Sequence, residues 1–289
     1  MVKIIYFSLL HFLALHLPRR ISYAIAWFIA NLNFFLNRAS RRGVIANLSV
    51  IMEFKGRDIK DNSTKREIER IARRTFINFG RYLVDFFGAG NLTRDFINRK
   101  IEINGLEVLD KTIKNNKGGI FVSVHLGNWE LGAIVLALLE YPINVVVLPH
   151  KNEKVDELFV EKRTSKHVKV IPIGYALRRC FEALRKNEIV AVLGDRDTTL
   201  NGEVHKFFGK RCILPKGPVD IALRTGCNIV FGFFVRKSYD KCLFEINGPI
   251  EADRNNISRD ELWDKIIVKM EEMILKYPDQ WFVFYPLWS

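Results

Sequence analysis

Past Gly118 the chain settles into short apolar runs separated by stretches with helical spacing. Ile120-Phe121-Val122-Ser123-Val124 is almost continuous in β-prone residues, the pattern of a strand buried on both faces. Asn144 to Leu148, Val168 to Ile173, Ile189 to Leu193, Asn228 to Val235 and Lys241 to Ile246 read as further strands. Between them Leu131 to Leu139, Ala176 to Lys186 and Pro218 to Arg224 read as helices. This alternation predicts an α/β fold, a mixed and mostly parallel sheet flanked by helices. Upstream, Ile68, Ile71, Phe76, Phe79, Leu83 and Phe86 recur at helical spacing and predict an amphipathic helix over 64–87, with Lys65, Arg66, Arg70, Arg73 and Arg74 on its other positions. Near the end, Ser258-Arg259-Asp260-Glu261 is a capping box, because serine and glutamate can satisfy the first free amides of a helix. That helix should turn Leu262, Ile266, Met270 and Ile274 inward and stop at Pro278.

The first fifty residues follow a different pattern. Ile4 to Leu17 is uncharged and mostly apolar, Pro18-Arg19-Arg20 interrupts it, Ile21 to Asn37 is again uncharged, and Arg38, Arg41 and Arg42 follow. No small-residue cleavage site accompanies these runs. Each is somewhat short of the ~20 residues of a spanning helix, so they predict a hydrophobic helical membrane-attachment segment that either spans with tilt or lies at the interface. The polar run Lys55 to Lys65 is the natural boundary, giving attachment helices over 1–55 and an α/β domain over 56–289.

Composition adds a partner requirement. A chain of 289 residues with 48% hydrophobic content can bury a sizeable core, and its formal net charge of +13 favours an acidic protein, an anionic bilayer or nucleic acid. The positive charge is spread along the chain, and no zinc-finger spacing, RNA-recognition signature or Walker A loop is present, which argues against nucleic acid. Cys180, Cys212, Cys227 and Cys242 form no C-x-x-C pair and read as reduced packing thiols.

The most informative stretch is Val124-His125-Leu126-Gly127-Asn128-Trp129-Glu130. It places a histidine at the carboxyl end of a strand, the edge of an open α/β sheet where ligands bind. Asn128 can cap the following helix, and a turn between the two elements could bring Glu130 back to His125. An imidazole near neutral pH can take the proton of an alcohol, and a carboxylate on its other nitrogen would fix the tautomer. By spacing alone, a histidine satisfied by backbone at a strand end fits equally well.

His125-x4-Glu130, in the wording His-Leu-Gly-Asn-Trp-Glu-Leu-Gly, resembles the H-x4-[DE] motif of the glycerolipid acyltransferase superfamily, and within it the bacterial lipid A late acyltransferases and their phosphatidylinositol-mannoside relatives. The likeness runs from about Arg41 to the C-terminus. Its other blocks are Arg163, the turn Gly194-Asp195-Arg196-Asp197 (many members carry glutamine where Arg196 stands), Phe207-Phe208-Gly209, Gly217-Pro218 and an aromatic tail from Gln280-Trp281 to Trp288. The resemblance implies transfer of a fatty acyl chain from acyl-carrier protein or acyl-coenzyme A to a hydroxyl of a membrane glycolipid. A lipid A precursor is the leading acceptor, with mannosylated lipids and lysophospholipids as alternatives. It implies His125 as general base oriented by Glu130, and Asn128, Arg163, Asp195, Asp197, Gly209 and Gly217 as substrate- or donor-binding positions. It implies no metal or cofactor beyond the acyl co-substrate. The expected partners are an acidic acyl-carrier protein, anionic membrane lipid and the glycolipid acceptor, at the cytoplasmic face of the bacterial inner membrane. Phe86, Phe87, Phe121 and Trp129 are candidates to line an acyl channel. Substitution of His125 or Glu130 by alanine should then cost similar activity in a folded protein. Two rival readings are a metal-dependent glycosyltransferase using Asp195-x-Asp197, and a basic membrane- or nucleic-acid-binding protein without catalysis.

Overall fold

The computed structural model describes residues 16–199, 201–253 and 255–288. Its centre is a seven-stranded sheet formed by β1 (Ile101–Asn104), β2 (Gly119–Ser123), β3 (Ile143–Val147), β4 (Lys169–Pro172), β5 (Ile189–Leu193), β8 (Asn228–Arg236) and β9 (Cys242–Glu251). The spatial order is β1-β9-β8-β2-β5-β3-β4, and a separate hairpin joins β6 (Glu203–Phe207) to β7 (Lys210–Leu214). β8 and β9 pair antiparallel, and the other neighbours in the large sheet are parallel. The sheet is therefore mixed and mostly parallel, as the alternation of strands and helices predicts. β2 lies at its middle with every residue buried, which is why its sequence is a continuous apolar run.

Side-chain alternation along β2 divides the core into two layers. Ile120 and Val122 face a layer with α8 (Ala176–Arg185), α9 (Gly217–Thr225) and α10 (Arg259–Lys276). Phe121 faces a second layer with α5 (Leu106–Lys114), α6 (Trp129–Leu138) and α7 (Glu153–Thr164). The long helix α3 (Asn62–Phe87) contributes to both: Ile68 to Phe76 join the first layer, and Tyr82 to Phe87 the second. Short α4 (Arg94–Lys100) leads into β1.

At the N-terminus the structure adds two observations. Leu48, Ile51 and Met52 of α2 (Arg38–Phe54) share the first core layer with the sheet, so the polar run after residue 55 is a turn between packed helices and not a gap in the packing. No described helix is long and apolar enough to cross a membrane. The uncharged run Ile21 to Asn37 forms most of α1 (Arg19–Leu36), which lies on α3; Ala26 and Ala30 pack close to Gly80, while Phe28 and Leu36 are 64% and 71% exposed. The earlier run Ile4 to Leu17 falls almost wholly outside the described residues.

Candidate active site

β2 and β5 are parallel neighbours in register, with Ser123 opposite Leu193. His125 and Asp195, each two residues past those strand ends, therefore emerge side by side at the carboxyl edge of the sheet. The Gly194 amide donates to the Ser123 carbonyl at 2.8 Å and closes the two loops together. Asp195 Oδ1 lies 2.7 Å from His125 Nδ1, and Oδ2 accepts from the His125 amide at 3.1 Å and from the Trp281 indole at 2.9 Å. The backbone around the histidine is equally fixed. Phe282 N donates to His125 O at 2.7 Å, Gly127 N to Gln280 O at 2.8 Å, and Asn128 N to Phe234 O at 2.7 Å. Gly127 has φ +62°, and a Cβ there would meet the Phe234 carbonyl at 2.1 Å, so only glycine fits the turn.

Arg196 Nη2 stands 2.6 Å from His125 Nε2. A guanidinium only donates, so Nε2 carries the lone pair and Nδ1 the proton given to Asp195. This is the tautomer that a base acting through Nε2 requires. Burial holds His125 below its ordinary pKa; Asp195 opposes that and Arg196 adds to it. Burial alone would raise Asp195, but the imidazole, Arg196 and the Trp281 indole outweigh it and hold the carboxylate well below its usual range. At neutral pH the pair is a carboxylate and a neutral imidazole.

The expected pairing of His125 with Glu130 is replaced by another. Glu130 accepts from Arg163 through both oxygens, at 2.8 Å from Nε and 2.6 Å from Nη2, with both side chains about 8% exposed. Arg163, a substrate- or donor-binding position by the resemblance, thus has its fork filled by a carboxylate, and it stands on helix α7. Glu130 stands in the first turn of α6, near enough to act on His125 through its charge. Asn128 caps that helix, accepting from Leu131 N at 3.1 Å, and its amide group donates to the Tyr82 carbonyl at 3.3 Å. Its polar atoms are used in architecture.

His125, Glu130, Arg163 and Arg196 all line one cavity of about 710 Å³. From this polar end it runs between the sheet and α6, walled by Phe121, Leu136, Val145, Phe234 and Phe244. Gly132 on α6 keeps the passage open, since a Cβ there would already touch Phe234 and Phe244 at 3.4 and 3.5 Å. Of the four aromatic channel candidates, Phe121 and Trp129 line the cavity, while Phe86 and Phe87 are fully buried behind the lining residue Phe159.

The remaining predicted positions build loops around the site. Asp197 accepts from Thr199 N and Oγ1 at 3.0 and 2.7 Å and from Gly202 N at 3.1 Å. Asp195 and Asp197 therefore do not converge on a common point, and among the described residues no group of three or more histidine, cysteine or acidic side chains is arranged for a metal. Gly209 (φ +72°) forms the turn of the β6–β7 hairpin beside Phe54, and Gly217 opens α9; neither lines the cavity. Sequence reasoning did not find the Asp195–His125 bond, the Arg196 contact or the Trp281 indole on Asp195. The signal was available in part, since two adjacent parallel strands followed at equal distance by His and Asp must bring those residues together.

The chain matches the family described as bacterial lipid A biosynthesis acyltransferase over residues 2–289. Among similar proteins, a phosphatidylinositol mannoside acyltransferase of Mycobacterium tuberculosis is 23% identical over 219 residues, covering 73% of this chain and 68% of that protein. One from Mycolicibacterium smegmatis is 24% identical over 228 residues, covering 75% of this chain and 72% of that protein.

Proposed function

Because the chain belongs to the bacterial lipid A biosynthesis acyltransferase family and is an acyltransferase, we propose that it moves a fatty acyl chain from a thioester donor to a hydroxyl of a membrane glycolipid, with His125 as general base held by Asp195. The observation that carries this reading is His125 at the polar end of an otherwise apolar cavity, with Nδ1 2.7 Å from a buried carboxylate and Nε2 2.6 Å from a guanidinium that can only donate.

The acceptor hydroxyl gives its proton to Nε2 as its oxygen attacks the thioester carbonyl. Asp195 stabilises the imidazolium that forms and keeps the ring aligned. When the tetrahedral intermediate collapses, the carbon–sulfur bond breaks and the sulfur takes the proton back from Nε2. The products are an ester and a free thiol, with the base restored. The acyl chain occupies the cavity under α6. The Glu130–Arg163 pair forms part of the polar mouth, and Glu130 adds a smaller contribution to the field at the ring than Asp195 and Arg196 do.

Two acceptors merit testing first. The family favours a lipid A precursor, and the activity for which the mycobacterial relatives are named favours a mannosylated phosphatidylinositol. A surface of net charge +13 suits acidic acyl-carrier protein as donor and the anionic inner leaflet of the plasma membrane as the working location. The deciding experiment is a transfer assay on purified wild type and His125→Ala, with acyl-carrier-protein and acyl-coenzyme A donors against lipid A precursors, mannosylated lipids and lysophospholipids. Wild-type transfer with a loss on the order of 10²–10⁴-fold in the variant is the expected result. Equal activity of the two proteins would remove His125 as the base.

A further inference from the structure

Arg196 makes a contact that the mechanism above leaves unexplained. Its Nη2 donates to the nitrogen of His125 that must receive the acceptor's proton, at 2.6 Å. Its Nε is buried and without a hydrogen-bond partner. Its guanidinium carbon lies 5.8 Å over the Tyr285 ring. No carboxylate of the described residues forms an ion pair with it; Asp195 next to it spends both oxygens on His125 and Trp281, and Glu130 spends both on Arg163. An arginine that lines a cavity with a buried, idle Nε–H, and whose partners are a neutral imidazole and the Tyr285 side chain, has a charged donor to offer an anion.

Resting on His125 as the base, we propose that Arg196 is a phosphate-recognising latch over that base. Its guanidinium covers Nε2 until a phosphate on the incoming substrate offers it a bidentate, charge-paired site. A neutral hydroxyl competes poorly with a guanidinium for the Nε2 lone pair, because a hydrogen bond from a charged donor is the stronger one. A phosphate changes the competition, drawing Nε and Nη2 together into its fork and leaving Nε2 to the hydroxyl. Phosphate-bearing substrates are thereby selected at the base itself. The phosphate can belong to the glycolipid acceptor or to the pantetheine arm and nucleotide of the donor. Tyr285 supports the guanidinium from its other face, so the aromatic tail and the Asp195 turn hold the latch between them.

The test has a binding arm and a kinetic arm, both on the full chain. In the first, the His125 ring is titrated by NMR in wild type, Arg196→Gln and Arg196→Lys, with and without glycerol phosphate as probe. The groups facing the ring are Asp195, Arg196 and Glu130. Removing the cation should raise the His125 pKa, and glycerol phosphate should raise it in wild type while leaving Arg196→Gln unmoved. In the second arm, transfer is measured to matched glycolipids with and without phosphate, and from acyl-pantetheine and acyl-coenzyme A. Wild type should prefer the phosphate-bearing partner, and in Arg196→Gln the ratio of the two rates should fall by on the order of 10–100-fold. The substrate whose phosphate matters identifies the source. A wild-type His125 signal indifferent to glycerol phosphate, or an Arg196→Gln enzyme with its preference intact, overturns the proposal. Should Arg196→Gln not fold, the lysine variant, which keeps charge but loses the fork, and the wild-type titration still decide it. Retained transfer by His125→Ala would instead remove the role of the base while leaving the titration result standing.

Discussion

Asp195 and Glu130 are both buried carboxylates close to His125, yet their partners give them different tasks. Asp195→Asn should leave the fold intact and turn the ring to the wrong tautomer, because an amide can donate to Nδ1 and so leave the proton on Nε2. A loss of up to about 10⁴-fold in kcat, with an unchanged circular dichroism spectrum, is the expected outcome. Glu130→Ala acts first on stability. It strands the Arg163 guanidinium in a site about 8% exposed, a change that costs roughly 3–5 kcal/mol for a buried pair broken on one side. Replacing both residues, Glu130→Leu with Arg163→Met, should recover most of that in a urea denaturation series, since no charge is left unpaired. The original expectation of equal alanine effects in a folded protein is therefore revised. The pH dependence follows from the ring as well. His125 is held below its ordinary value and is active when neutral, so activity should be full at neutral pH and fall only below 6.5. A pH–kcat/KM profile, which reports the free enzyme, with its acid limb at or above 6.5 would contradict the burial argument.

At the scale of elements, α6 carries the most specific prediction. Gly132 sits where the helix faces Phe234 and Phe244 across the cavity, so Gly132→Leu should fill part of the passage and shift the products to shorter acyl chains, as read by mass spectrometry of the acylated lipid. Retention of the wild-type chain-length profile would move the acyl chain elsewhere. Most of the elements around this cavity were legible in the sequence, because strands buried on both faces write themselves as apolar runs: β5 spans Ile189–Leu193 as read, and β2 differs by a single residue at each end. The capping box at Ser258 forms with both of its hydrogen bonds. The helix α7 and the β6–β7 hairpin were missed for opposite reasons. α7 is charged on most of its surface and shows little apolar periodicity, and the hairpin alternates too briefly between half-exposed residues. The catalytic arrangement was half legible. Local pattern identifies His125 and the helix cap at Asn128, but the partner of the ring depends on strand order. Only the pairing of Ser123 with Leu193 places Asp195, and not Glu130, beside Nδ1.

At the scale of the whole molecule, α1 carries the prediction for contact with a lipid surface. Its inner face is pinned to the body by Asp85, which accepts from Arg19 at 3.0 Å, from Tyr23 at 2.5 Å and from Arg236 of β8. Its outer face presents Ile21, Phe28, Leu32, Phe35 and Leu36, all about half exposed or more, along a single side of the helix. Exposed Arg20, Arg38 and Arg42 stand at the ends of this row. An apolar stripe flanked by cations suits the headgroup boundary of an anionic bilayer, with the helix lying in the plane of the membrane. Full burial of a phenylalanine or leucine side chain contributes about 1.5–3 kcal/mol, so losing two of them should weaken vesicle partitioning by on the order of 10²–10⁴-fold. Phe28→Glu with Leu36→Glu should accordingly release the protein from anionic vesicles in a flotation assay. The same variant should still turn over a short-chain acceptor in solution, because neither residue touches the cavity or the Asp85 cluster. Wild-type binding should weaken as salt rises, through the arginines, while a salt-resistant fraction remains from the apolar stripe. A double variant that floats with vesicles as wild type does would detach α1 from membrane docking. Loss of turnover on the soluble acceptor would mean that the stripe supports the fold and does not simply hold the enzyme against its substrate.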